Sequence, residues 1–201
     1  MIDVEAITYL HGETVKRWHS DGIDNPYEGF LMLVCHQHEQ NYRLWHEEDV
    51  ARSRDVTDAE LARVKRNIDR LNQQRNDLIE GLDDCLIHEF QKTGLPNRPD
   101  APLNSETPGS VIDRLSILAL RIHHMEEQAV RADADEAHRA RASVRLEILH
   151  QQHRDLSMSL AELLDDVFSG RKRLKVYRQL KMYNDPSMNP YLYAARKKSA
   201  A

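Results

Sequence analysis

Proline is missing from three long stretches of the sequence, residues 1–25, 27–95 and 109–185, and glycine occurs only seven times in 201 residues. Because proline breaks helices and glycine weakens them, these stretches favour long, uninterrupted helices. The alternation of apolar and polar residues that marks a half-buried strand is also missing over any useful length. The sequence therefore predicts an all-α protein and excludes a nucleotide-binding sheet built from alternating strands and helices.

Long apolar runs are missing as well. None approaches the about 18 residues that a membrane span requires, so the chain is not expected to be transmembrane. The N-terminus, MIDVEAITYLHGE, is acidic and has no long apolar core, so it does not read as a secretory signal. The two cysteines, Cys35 and Cys85, lie in apolar helical patterns. This placement favours buried free thiols in a reducing cytoplasm, with a disulfide or a metal pair as the alternative.

Charge is distributed unevenly along the chain. The net charge is -5, yet residues 171–201 contain nine lysines and arginines and a single acid, Asp185. Such a basic tail can fold back onto the acidic body or bind an anionic partner. Residues 171–181, RKRLKVYRQLK, interleave apolar residues with cations and predict a helix, either on an anionic surface or neutralising the body. Specific nucleic-acid binding is not expected, because the acidic remainder of the chain repels phosphate.

Capping residues and prolines set the expected helix boundaries. Thr57 and Thr107 are typical N-caps, and Gly94 is a typical helix end. The predicted helices span residues 3–19, 26–54, 57–93 and 108–131, with a further long helix that ends at Phe168-Ser169-Gly170. We therefore expect an antiparallel bundle of about four long helices, with a short N-terminal helix and a basic, turn-rich C-terminal segment. Residues 1–182 form one domain in this interpretation, and residues 183–201 form a tail.

One seam of the second predicted helix changes its chemistry halfway along. In steps of three and four it runs Tyr27, Leu31, Val34, His38, Asn41, Trp45, Glu48, Arg52. The first three residues are suited to a core, whereas the last five are polar, charged or aromatic with a polar group. A buried polar group needs a partner, so this seam either emerges into solvent or lines a polar pocket inside the bundle.

The neighbouring predicted helices also carry polar residues at seam positions, and Arg75 interrupts an otherwise apolar line. A buried arginine needs a carboxylate or an anionic ligand, so we predict a site for an anionic small molecule. The alternative is a structural ion pair of Arg75 with Glu48 or Asp49. The predicted ligand-binding residues are Asn41, Trp45, Arg52, Asn72, Arg75, Asn76, Asp113 and Arg114.

Two further hypotheses concern the same region. In the first, the protein is an enzyme in which His46 is the acid or base and Glu48 or Asp49 orients it. In the second, the polar seam is an internal salt-bridge network of a scaffold. A metal site is not predicted, because Glu147-x-x-His150 is the only di-iron-like pair and the paired histidines lack the i, i+4 spacing. No cofactor is expected. A second copy of the chain is one of the proposed partners, in a homodimer.

The start of the helix after the loop, Thr107-Pro108-Gly109-Ser110, leaves backbone N–H groups free. Such helix ends bind phosphate or carboxylate groups. The alternative interpretation is an ordinary N-cap, which is much commoner.

Four stretches carry a family resemblance: NYRLWHEEDVAR at 41–52, IDRLNQQRN at 68–76, TPGSVIDRLSIL at 107–118 and YNDP at 183–186. Together they resemble the bacterial domain of unknown function family 4254 over most of the chain. The resemblance implies a bacterial cytoplasmic protein that accompanies envelope and lipopolysaccharide glycosyltransferases. It further implies a sugar-phosphate or nucleotide-sugar ligand, and a glycosyltransferase as a partner for residues 171–181. It implies no catalytic residues. A second likeness, to helical chorismate mutases, covers only Asn67-Ile-Asp-Arg-Leu and Arg75.

Overall fold

The computed structural model describes residues 2–95, 98–180, 182 and 185–199, with side chains as far as residue 194. Lys181, Tyr183 and Asn184, which belong to the basic segment and to the fourth family string, lie outside the described residues. Six helices occupy the described part of the chain: α1 (Val4–Ser20), α2 (Gly29–Arg52), α3 (Asp58–Lys92), α4 (Pro108–Val130), α5 (Glu136–Phe168) and α6 (Pro190–Ser199). The prediction of an all-α bundle is confirmed.

Side-chain caps fix the starts of α3 and α4. Thr57 Oγ1 accepts a hydrogen bond from the backbone N–H of Glu60, and Thr107 Oγ1 accepts one from Ser110, each at 3.3 Å. These bonds satisfy N–H groups that the first turn of a helix leaves without an internal partner. Gly94 follows the end of α3 with a φ of 69°, a left-handed conformation that glycine adopts at little cost. The predicted boundaries at these positions are therefore correct.

Helix α4 lies at the centre of the bundle and packs against α1, α2, α3 and α5. Its apolar residues, including Ile112, Leu115 and Leu120, are almost fully buried. Each such side chain contributes about 1.5–3 kcal/mol by leaving water. None of the helices in residues 2–95, 98–180 and 185–199 combines the length and apolarity needed to cross a membrane.

Helix α1 is a full member of the core and not a short addition to four helices. Its residues Leu10, Val15 and Trp18 are buried, and it contacts α2, α4 and α5. Trp18 Nε1 donates to the carbonyl of Asp24 at 3.1 Å, and Tyr42 Oη donates to the carbonyl of Trp18 at the same distance. These bonds fix the end of α1 against α2.

The basic segment differs from its prediction. Residues 171–180 form no helix and instead run in an extended path over the body. Arg178 donates to Glu80 and Asp84 of α3 at 2.8–3.1 Å, and the N–H of Arg173 donates to the carbonyl of Pro102 at 3.0 Å. The segment is extended because its cations and backbone donors bind acids and carbonyl groups of the body that lie along its path. A sequence pattern does not reveal these acceptors, nor did it predict α6.

Candidate functional site

The buried carboxylate of Asp113, a predicted site residue, binds two further predicted residues, Asn41 and Arg75, together with Gln37, which was not predicted. Asp113 Oδ1 on α4 accepts hydrogen bonds from Gln37 Nε2 at 2.6 Å, Asn41 Nδ2 at 2.9 Å and Arg75 Nε at 2.7 Å. Arg75 Nη2 also donates to Oδ2 of the same carboxylate. This bidentate pair raises the pKa of Arg75, and burial acts against the rise. Helices α2, α3 and α4 are therefore joined through one acid.

The same cluster continues through Ser116 on the next turn of α4. Ser116 Oγ accepts from Asn41 Nδ2 at 2.9 Å and lies 2.7 Å from His38 Nδ1. His38 and Ser116 are fully buried, and burial lowers the pKa of His38 to about 3. The imidazole is therefore neutral at ordinary pH, and the cluster contains one cation and one anion.

The partner of Arg75 is thus Asp113, and the expectation that Glu48 or Asp49 would pair with it is wrong. Those two acids bind Arg52 on their own helix, at 3.2 Å and 3.6 Å, where the arginine side chain is 68% exposed. Arg52 lies three turns beyond Asn41, about 16 Å along the helix axis, so one pocket does not hold all the predicted residues. The seam of α2 is buried as far as Asn41 and then emerges into solvent.

The remaining predicted ligand residues lie in other surroundings. Arg114 is on the surface and pairs with Glu106 at 2.6 Å. Asn72 and Asn76 are half-buried on α3, and Asn76 Oδ1 accepts from Gln179 Nε2 of the extended C-terminal segment at 3.5 Å. A ligand-binding role for these residues, and for Asn41, Arg75 and Asp113, stays a prediction.

The start of α4 is bound by an acid of the protein itself. Asp83 Oδ1 on α3 accepts from the backbone N–H of Gly109 at 2.7 Å. A Cβ at Gly109 would lie 2.6 Å from the carbonyl oxygen of Ile79, so glycine is required for this close approach. Burial raises the pKa of Asp83 to about 6. This geometry is that of a helix N-cap. The N-cap was the alternative to a phosphate site at this helix start.

Four histidines converge where α1 ends beside α2 and α4. The ring of His19 lies 4.5 Å from that of His123, 5.1 Å from His124 and 5.2 Å from His46, measured between centroids. His124 Nδ1 lies 2.9 Å from Glu127 Oε2, and His123 Nε2 lies 3.8 Å from Glu127 Oε1. Burial lowers the pKa of His46 and His123, and the neighbouring His19 adds to the effect. This group is called the histidine cluster below.

Sequence reasoning missed this cluster, because it sought histidines at helical spacing along one helix. The four residues come from three helices, and His19 is more than 100 positions away from His123. His46, the predicted acid or base, contacts the rings of Tyr42 and His19. Within the described part of the chain it makes no hydrogen bond to Glu48 or Asp49. The sequence did contain one indication of the cluster, because all four histidines fall near the same end of the predicted antiparallel helices.

A groove of about 470 Å³ opens next to the cluster, between α2, α4 and α5. Its wall includes the stacked pair of Trp45 and His124, whose ring centroids are 4.7 Å apart at an angle of 13°. Arg121 of α4 and Arg145 of α5 line it, and among the described residues neither has a carboxylate within ion-pair distance. The other lining residues are Asp49, Met125, Gln128, Ile148, Leu149 and Gln152.

Comparison with known proteins gives one match. No curated protein and no solved structure matches the chain. The sequence profile of one family, described as "Protein of unknown function (DUF4254)", matches residues 31–176. The matched region contains nearly all of α2 and the whole of α3, α4 and α5, and therefore both the Asp113 network and the groove. It begins after α1, which carries His19. The resemblance noted in the sequence is confirmed, and the chain belongs to this family of proteins of unknown function.

Proposed function

We propose that the groove between α2, α4 and α5 binds an anionic small molecule that carries phosphate. The observation that carries this proposal is the pair Arg121 and Arg145, which reach one groove from facing helices without a carboxylate partner among the described residues. Charged side chains at the surface of this protein are commonly paired, as Arg114 is with Glu106. Two guanidinium groups in one concavity, neither of them paired with a carboxylate of the residues that the structure describes, favour an anion from outside the chain.

The lining residues fit a phosphorylated sugar or a nucleotide-sugar. Guanidinium groups bind phosphate oxygens in pairs of parallel hydrogen bonds. Trp45 offers an aromatic face for a base or a sugar ring, and Asp49, Gln128 and Gln152 offer acceptors and donors for hydroxyl groups. The volume of about 470 Å³ falls in the range typical of small-molecule sites.

The proposed ligand class is the one that the family resemblance implies. The arginines proposed to bind its negative charge differ from those predicted from the sequence. Of the predicted site residues, Trp45 from the seam and Asp49, predicted to orient His46, line the groove. Arg121 and Arg145 take the roles that were expected of Arg52 and Arg75. An accessory role for envelope or lipopolysaccharide glycosyltransferases, a cytoplasmic location and a homodimer remain proposals that come from the resemblance and from composition.

Titration calorimetry with inorganic phosphate and with a uridine diphosphate sugar tests the groove. We expect the nucleotide-sugar to bind, and Arg121→Gln and Arg145→Gln each to weaken binding at least tenfold, since each removes charge-assisted hydrogen bonds. Arg141→Gln is the matched control, because this exposed arginine of α5 lies outside the groove. Equal affinity in all three variants, or no binding of either compound, contradicts the proposal.

The enzymatic alternative has a separate readout. If His46 is an acid or base, turnover of the bound nucleotide-sugar disappears in a folded His46→Gln variant while its affinity is retained. Binding without turnover in the wild-type chain assigns the groove to recognition alone.

A further inference from the structure

The histidine cluster contains ring nitrogens that the described protein groups leave without partners. The Nε2 atoms of His46, His123 and His124 are buried and make no hydrogen bond with any residue in the described part of the chain. A buried polar atom without a partner destabilises the fold, so three in one place require an explanation. Their rings pack around His19, whose centroid lies 4.5–5.2 Å from each of theirs, and His19 itself reaches solvent at the end of α1.

The hydrogen bonds of two rings determine which nitrogen is free to bind. His19 Nδ1 lies 2.6 Å from the carbonyl oxygen of Val15. A carbonyl oxygen only accepts, so Nδ1 holds the proton and the lone pair of a neutral His19 is on Nε2. His124 Nδ1 likewise donates to Glu127 Oε2, and its Nε2 has no partner among the residues described. Backbone carbonyls and carboxylates orient metal-binding histidines in this way.

One ring nitrogen from each of His19, His123 and His124 lies within 4.8 Å of the other two. Nitrogens bound at about 2.1 Å to a tetrahedral ion are about 3.4 Å apart, so small side-chain rotations bring the three into coordination. We propose that His19, His123 and His124 bind a divalent transition-metal ion of the zinc class, with a fourth position for water or a ligand atom. Glu127 is a positioning residue for His124.

The chemistry of the donors selects this class of ion. Imidazole suits Zn²⁺, Ni²⁺ and Cu²⁺, whereas Mg²⁺ and Ca²⁺ prefer oxygen donors. Within the part of the chain that the structure describes, Glu127 is the carboxylate that contacts the rings of His123 and His124, and it accepts a hydrogen bond from His124 Nδ1. Three neutral nitrogen donors with an open fourth position are typical of zinc sites that bind a ligand or activate water. This proposal does not depend on ligand binding in the groove, because the two share only His124.

Titration of the untagged, metal-free chain with Co²⁺ and Zn²⁺ tests the site. We expect one ion per chain, visible absorption of the Co²⁺ form that Zn²⁺ abolishes, and a rise in melting temperature with ion concentration. His19→Gln and His123→Gln should each weaken binding by on the order of a hundredfold or more, since each removes a ligand. The matched control is His36→Gln, because His36 is a surface histidine of α2, 47% exposed.

A second variant separates coordination from mere structural contact. Glu127→Gln leaves all three histidines in place and removes the carboxylate that orients His124, so we expect affinity to fall by about 10- to 100-fold. Circular dichroism of each metal-free variant checks that the fold is retained. The site is ruled out if Zn²⁺ does not bind at micromolar concentration, or if folded His19→Gln and His123→Gln bind it as the wild type does. Retained nucleotide-sugar binding in His123→Gln distinguishes this outcome from failure of the groove proposal.

Discussion

Asp113 shows how one buried acid on α4 binds polar side chains from two neighbouring helices, α2 and α3. Gln37, Asn41 and Arg75 all donate to it, and the residue is 4% exposed. A buried ion pair is not stabilising by its charge alone, because both ions lose hydration. Here the amide donors and the bidentate guanidinium compensate that loss. The consequence is a fixed register of α2 and α3 on α4.

Replacement of Asp113 by alanine should therefore be severely destabilising. The change leaves the partly buried Arg75 and the buried amide of Gln37 without their acceptor, and Asn41 keeps only Ser116. We expect the free energy of unfolding to fall by about 3–5 kcal/mol. Urea denaturation followed by circular dichroism measures it. Glu106→Ala is the control, since it breaks the exposed pair with Arg114 and should change stability by no more than about 1 kcal/mol. Similar losses in the two variants contradict the network's structural role.

The helices themselves were largely predictable from local sequence, because their ends are set by local chemistry. Thr57, Thr107 and Gly94 mark boundaries through bonds and backbone angles that involve only neighbouring residues. The extended segment 171–180 was not predictable in this way. Its conformation depends on acids such as Glu80 and Asp84, which are almost 100 positions distant in the chain.

The packing of α4 on α3 depends on the small size of Gly109. An alanine Cβ there meets the carbonyl of Ile79 at 2.6 Å and the carboxylate of Asp83 at 2.9 Å, so the helices must separate and the capping bond must lengthen. We expect Gly109→Ala to lower the free energy of unfolding by about 1–3 kcal/mol, the usual effect of overpacking. Thermal and urea unfolding measure the change.

Gly12→Ala is a control for which we expect the opposite change in stability. It lies within α1, and a Cβ there has no other atom within 4 Å. Gly12→Ala should therefore stabilise the protein by up to about 1 kcal/mol through helix propensity. The two variants are measured under the same conditions. If Gly109→Ala leaves the free energy of unfolding unchanged or raises it, close packing at the start of α4 is contradicted.

At the scale of the whole molecule, the sequence indicated which residues were polar but not which of them would meet. The seam of the second predicted helix pointed to Asn41 and Trp45, and the next helix pointed to Arg75, as members of a polar region; each does contact polar or aromatic partners. Their division between a closed network and an open groove depends on the register of the antiparallel helices. The histidine cluster depends on the same register, and on the packing of α1 into the core, which no local pattern reports.

The same packing buries uncharged imidazoles throughout the molecule and makes its stability dependent on pH. Burial lowers the pKa of His38 to about 3 and that of His11 well below its usual value. In the unfolded chain both bind protons below about pH 6.5, whereas in the folded chain they do not. The unfolded state therefore gains protons on acidification, and stability falls as pH decreases from 7 to 5. Asp83, with its raised pKa of about 6, acts in the opposite direction over the lower part of this range.

Protonation of His38 in the unfolded chain should remove about 2 kcal/mol of stability at pH 5, and His11 should add to that loss. Protonation of Asp83 in the folded state should return about 1 kcal/mol. We expect a net loss of stability between pH 7 and pH 5, measured by urea denaturation at both values, because the lowered pKa values of His46, His123 and His153 act in the same direction. His11→Leu removes one titrating group and two ring nitrogens that have no hydrogen-bond partner among the described residues, so it should reduce the loss measurably. His36→Leu, at an exposed position of α2, should leave the loss unchanged. A wild-type chain that is more stable at pH 5 than at pH 7 contradicts the neutral burial of these rings.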